Sequence, residues 1–96
     1  MWTVLFHPDA EIELDALDAL ESAVMTHATE KLAPFGPNLP FPHQSHIERA
    51  GRVRELRPMA GRSRWRGLYG QVGDAFVVVA VSPDANVDPR GFRRAA

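Results

Sequence analysis

The sequence predicts an α+β fold: an N-terminal strand and two helices packed on a twisted, mainly antiparallel sheet of about four strands. Three observations predict it. Apolar residues recur every three to four positions as far as Phe35, and after Pro42 the pattern becomes strand-like. The run Ala75-Phe76-Val77-Val78-Val79-Ala80-Val81 is continuously apolar, as in a strand covered on both faces. The segments after Pro42 are joined by turns too short for a crossover, so their strands are antiparallel.

Trp2 to His7 is aromatic and β-branched and is ended by Pro8, which reads as the first strand. Asp9 is positioned to cap the helical stretch that follows, with Glu11 and Glu13 in its first turn. That stretch runs from about Ala10 to Ala33. Asp18 and Glu21 have the spacing of a capping box, so a second helix restarts at Asp18. Leu17, Leu20, Val24, Ala28, Leu32 and Phe35 mark the expected buried stripe. Pro34 and Gly36-Pro37 stop the helix. Residues 34–46 hold four prolines and read as an ordered loop across one end of the domain. Strands are expected over Val53–Pro58, Arg64–Val72 and Ala75–Val81, with a hairpin loop at Met59-Ala60-Gly61-Arg62 and a tight turn at Gly73-Asp74.

The chain has 96 residues, which fits one domain over 1–96. It is 45% hydrophobic and 24% charged, a composition that argues against disorder. No apolar run is long enough to span a membrane, and the N-terminus lacks the pattern of a signal peptide. The absence of cysteine excludes thiol chemistry and favours the cytoplasm for so small a domain. The net charge of −1 hides a polarity. Residues 1–48 hold eight acids and one base, a net of −7; residues 49–96 hold ten arginines and four acids, a net of +6. Seven arginines fall between Arg49 and Arg66. Arginine in place of lysine has two accounts, genomic base composition and the bidentate grip of guanidinium on phosphate, and clustering of this kind suits a phosphate polyanion.

The strand motifs resemble a known family. Val53-Arg54-Glu55-Leu56-Arg57-Pro58 resembles the "ELR" strand of RelE/HigB-type toxins, and Trp65-Arg66-Gly67-Leu68-Tyr69 resembles the aromatic-Arg-x-x-Tyr strand after it. Residues 32–42, LAPFGPNLPFP, resemble the linker of the phage-derived HigB-like branch. The resemblance covers residues 1–81 in order and spacing. It implies a RelE/ParE-like fold and the toxin of a type II toxin–antitoxin pair. The implied activity is ribosome-dependent cleavage of mRNA, an endoribonuclease needing no cofactor and no metal. The implied partners are mRNA on the ribosome and a cognate antitoxin, expected to be a helix-turn-helix protein. Two alternatives stay open: a ParE-like toxin that poisons gyrase, and a degenerate homologue that only binds its antitoxin. The C-terminal region departs from the family, since Ser82-Pro83-Asp84-Ala85-Asn86 carries no base where the branch carries a basic cluster.

The resemblance points to Arg57 and Arg66 for phosphate binding and transition-state stabilisation. An always-protonated guanidinium suits that role and is a poor base. Tyr69, the single tyrosine, completes the expected catalytic set, either as a proton donor or as a stacking ring. Arg54, Arg62 and Arg64 are expected on the RNA backbone. Arg64 and Arg66, two apart on one strand, should share a face. His43 and His46 lie in the loop before the basic strand, where a histidine can exchange protons near neutral pH.

Overall fold

The computed structural model describes residues 1–46 and 53–83. The chain runs β1 (Thr3–Phe6), α1 (Pro8–Asp15), α2 (Ala19–Glu30), a one-turn helix α3 (Leu32–Phe35), a 3-10 turn (Gly36–Asn38) and β2 (Gln44–His46). It continues with β3 (Arg54–Leu56), a second 3-10 turn (Pro58–Gly61), β4 (Trp65–Val72) and β5 (Ala75–Pro83). The five strands form one sheet in the order β1-β5-β4-β3-β2. β1 lies parallel to β5, and the other neighbours are antiparallel. This is the expected α+β architecture, with five strands in place of about four. The additional strand, β2, comes from the end of the proline-rich segment and pairs with β3 at the sheet edge.

Local chemistry explains the helix boundaries. The cap of α1 is His7, not Asp9: its Nδ1 accepts a hydrogen bond from the Asp9 N–H at 3.1 Å, and Pro8 takes the first helical position, where no N–H is required. Asp18 caps α2 as expected, its carboxylate accepting from the Glu21 N–H at 2.8 Å. Pro34 does not stop the helix before it. It sits in the first turn of α3, where an N–H would have no intrahelical partner.

The helices cover one face of the sheet. Met25, Ala28 and Leu32 from α2 and α3 pack with Ala10, Leu39, Leu56, Tyr69, Phe76, Val78 and Val81. The buried stripe is thus rotated from the expected one: Leu20 and Phe35 are exposed, while Met25 and Thr29 are buried. Thr29 tolerates burial because its hydroxyl donates to the Thr26 carbonyl at 2.7 Å. A β-bulge at Leu68/Tyr69 leaves Val79 as the extra residue of β5. Just beyond it, the Val81 N–H donates to the Glu13 carboxylate of α1 at 2.9 Å.

The N-terminus is tied to the helical layer at Gly36. Trp2 donates its backbone N–H to Ala33 O at 2.8 Å and sets its ring edge-on to Phe76, 5.3 Å between centroids. Gly36 has φ +53°, and a Cβ there would fall inside the Trp2 indole. A Gly36→Ala variant therefore combines left-handed strain with overpacking, a loss of about 2–4 kcal/mol. The expected melting temperature is lower by roughly 10 °C or more. A melt like that of the parent would show that the indole yields freely.

Candidate functional site: the arginine-clamped turn

Of the sequence-predicted site residues, Arg57, Arg62 and Arg66 gather around the Pro58–Gly61 turn, while Arg54 and Tyr69 lie opposite each other in the β3–β4 ladder. Leu56 packs into the core beneath the helices, so strand alternation puts Arg54 on that same face and Glu55 on the opposite one. Arg54 lies opposite Tyr69 in the ladder and donates to Gln44 Oε1 at 3.2 Å. Arg57 instead pairs with Glu55, its Nη1 donating to Oε1 at 3.0 Å, and its Nε donates to the Pro42 carbonyl at 3.0 Å. Its guanidinium also lies 5.3 Å from the centre of the Phe41 ring.

Arg66 has a different fate from the one its motif suggests. Its side chain is only 3% exposed. Nη1 donates to Ser63 O at 2.6 Å and Trp65 O at 2.9 Å, and Nη2 donates to Gly61 O at 3.3 Å. Its Nε lies 3.9 Å from the Glu55 carboxylate that Arg57 also engages. The physical reason is the shape of the turn. Met59 and Ala60 both adopt left-handed backbone, with φ of 55° and 56°, and Gly61 follows at +93°. The carbonyls of residues 61, 63 and 65 converge inward, and a buried charge must be met by acceptors. Arg66 is thus a clamp on the turn, where the sequence pointed to a phosphate contact.

Tyr69 is likewise in the core rather than at a surface. It is 2% exposed and stands edge-on to Phe76, 5.9 Å between centroids. Burial pushes its phenol up to about 12, against the opposing pull of the Arg54 charge. The phenol is thus held in its neutral form inside the core. Trp65 packs against the core at its margin.

Among the described residues the exposed arginines are Arg62 and Arg64. Arg62 donates its Nε to Met59 O at 3.0 Å. Arg64 precedes β4 and is exposed where Arg66 is buried; its guanidinium lies 5.1 Å from the centre of the Trp65 ring. The base-poor stretch from Asp84, with Asp88 and Phe92, lies outside the described residues, as does the His46 side chain. His43 lies opposite Arg57 at the end of the β2–β3 ladder, its carbonyl accepting the Arg57 N–H at 2.8 Å.

Sequence reasoning missed three participants. Glu21 leaves its own helix end and accepts from the Ser63 hydroxyl at 2.9 Å, tying α2 to the turn. Glu55 is the carboxylate that holds Arg57. Phe41 is the exposed ring above it. The only signal for Phe41 was an aromatic residue between two prolines, which fixes backbone without indicating direction.

Residues 12–82 match the family described as "Phage derived protein Gp49-like (DUF891)". The chain belongs to this family. The Gp49-like chain also resembles a solved structure titled "Chromosomal ParDE TA system from P. aeruginosa", with a TM-score of 0.57 and 15% identity over 88% of this chain and 97% of that one. At that identity the likeness concerns the fold. No curated protein matches in sequence. Among the described residues no helix is long and apolar enough to cross a membrane.

Two outcomes follow from this geometry. Arg66→Ala leaves three inward carbonyls short of a donor and removes a cation from beside Glu55, a loss of about 3–5 kcal/mol. Its melting temperature should fall accordingly, and Arg66→Lys should recover part of it by keeping the charge without the fork. An Arg66→Ala protein that melts like the parent would refute the clamp. Tyr69 has a folded pKa above its unfolded value of 10.0. Its stabilising contribution is complete below pH 10 and is lost as pH rises towards 12, up to about 3 kcal/mol in all. Because there is one tyrosine, tyrosinate absorbance should titrate near 12 in the folded protein. A midpoint near 10 would place the phenol in water.

Proposed function

We propose that this Gp49-like protein is the toxin of a toxin–antitoxin pair and acts as a ribosome-dependent mRNA endoribonuclease. The observation that carries this reading is the rigid turn between β3 and β4, rimmed by Arg57, Arg62 and Arg64. Three guanidinium groups beside a turn held by internal hydrogen bonds form a preorganised phosphate-binding rim. In this reading the RNA 2′-hydroxyl attacks the adjacent phosphate, the P–O5′ bond breaks to leave a 2′,3′-cyclic phosphate and a 5′-hydroxyl, and Arg57 stabilises the charge that develops at phosphorus. His43, across the ladder from Arg57, takes the proton of the 2′-hydroxyl and returns one to the departing 5′-oxygen. Arg62 and Arg64 hold the RNA backbone, while Arg54, turned to the helical face and bonded to Gln44, supports the sheet. Arg66 supports the turn from inside, and Tyr69 supports the core. The protein works in the cytoplasm and is silenced by a cognate antitoxin, for which we expect a helix-turn-helix protein.

A second reading is favoured by two observations. Arg66 and Tyr69, the motif residues most suited to the chemistry, are buried, and the structural neighbour is titled a ParDE system. On this reading the toxin poisons gyrase in the ParE manner and the same rim binds a protein. The discriminating experiment is induction in cells, with mRNA 5′ ends mapped and gyrase–DNA cleavage complexes measured in parallel. The nuclease reading expects new ends within translated codons, lost when translation is blocked. It also expects a His43→Ala variant to be slowed about 10²-fold or more while its melt is unchanged. Intact mRNA with accumulating gyrase–DNA breaks would replace it by the second reading. Neither effect would leave a degenerate homologue.

A further inference from the structure

Phe41 has no role in the core. The residue is 70% exposed, although Leu39, two positions before it, is buried. One side of the ring carries the Arg57 guanidinium, which is not free to wander. Nε is held by Pro42 O and Nη1 by Glu55 Oε1, both at 3.0 Å. The absence of a side chain at Gly61 makes room for Nη2, which would come within 2.5 Å of a Cβ there. Among the described residues no acceptor takes the Nη2 protons, which leaves them for an anionic oxygen.

We infer that Phe41 is a stacking platform for one base of single-stranded RNA, with Arg57 receiving an adjacent phosphate through Nη2. A cation fixed against one side of an aromatic ring leaves the other side for the flat face of a base. The occupant is an RNA base and not an apolar protein side chain because the surroundings are cationic. Arg57 lies over the ring, Arg62 is exposed at the far end of the same turn, and the carboxylate paired with Arg57, Glu55, is already engaged. This inference rests on the nuclease reading for the identity of the target. It assigns to Phe41 base preference and affinity, not the proton transfers.

The test uses the full chain and a short single-stranded RNA carrying 2-aminopurine, with binding followed by fluorescence quenching. Phe41→Trp should bind like the parent and quench. Phe41→Ala and Phe41→Leu should bind about tenfold more weakly, the scale of one lost stacking partner, with unchanged melts because the side chain is exposed. An abasic nucleotide in the RNA should erase the difference between parent and Phe41→Ala. Parental binding by Phe41→Leu would overturn stacking, since Leu keeps apolar contact without a π face. So would unchanged RNA binding by Phe41→Ala together with loss of gyrase or antitoxin binding, which would make Phe41 a protein contact. No RNA binding by the parent would overturn the platform as well. Cleavage assays separate this inference from the reading beneath it. A parent that cuts mRNA at sites and rates shared by Phe41→Ala keeps the nuclease and loses the platform. Phe41-dependent binding without cleavage keeps the platform and loses the nuclease.

Discussion

The structure around the site depends on one constraint: a permanently charged guanidinium, that of Arg66, lies inside the protein. Arginine does not escape such a position by losing its proton, so its donors must find acceptors. The carbonyls of Gly61, Ser63 and Trp65 supply them, and they converge only if the chain folds back tightly after Pro58. Met59 and Ala60 accept left-handed backbone to make that return, at a cost of roughly 1–2 kcal/mol each. The strain offsets a larger penalty, that of an unmet charge in the interior. What results is a turn whose exposed members, Met59 and Arg62, are presented from a backbone that has little freedom to move.

The helical layer holds the same turn from the other side. Glu21 was a candidate for the reciprocal half of a capping box, yet its carboxylate takes the Ser63 hydroxyl, which in turn accepts from the Trp65 N–H at 3.1 Å. Glu13 similarly leaves the solvated face of α1 to receive the Val81 N–H beyond the bulge of β5. Two acids of the negatively charged half of the chain thus fasten the arginine-rich half. The separation of charge along the sequence is partly a structural adhesive, and only the remainder, including Asp9, Glu11, Asp15 and Glu30, is solvated surface.

Local chemistry was legible in the sequence where one residue decides the outcome. Asp18 announces a cap because few side chains can accept from an N–H three residues on. The apolar run of β5 announces a central strand. The phase of the helical stripe was not legible, because Leu20, Val24, Met25 and Ala28 spread over a wide arc of α2 and Thr29 counts as polar until its hydroxyl is satisfied within its own helix. β2 was hidden for a related reason. It is three polar residues at a sheet edge, and only pairing with β3 makes it a strand. The candidate site was least legible of all, since an arginine in a strand has the same letter whether it faces a phosphate or a ring of carbonyls.

That ambiguity resolves through Glu55. Arginine density between residues 49 and 66 suggests a broad cationic face, but one carboxylate at the middle of β3 divides it. Glu55 draws Arg57 to itself and lies near Arg66, while strand alternation turns Arg54 to the helical face. Among the described residues the arginines left to meet a target are then few: the remaining donor edge of Arg57, with Arg62 and Arg64 on the turn's far side. A small, rigid rim discriminates by geometry where a wide basic face attracts any polyanion. The overall charge of −1 fits that economy, since it limits attraction to bulk nucleic acid and leaves recognition to the groups that the turn holds in place.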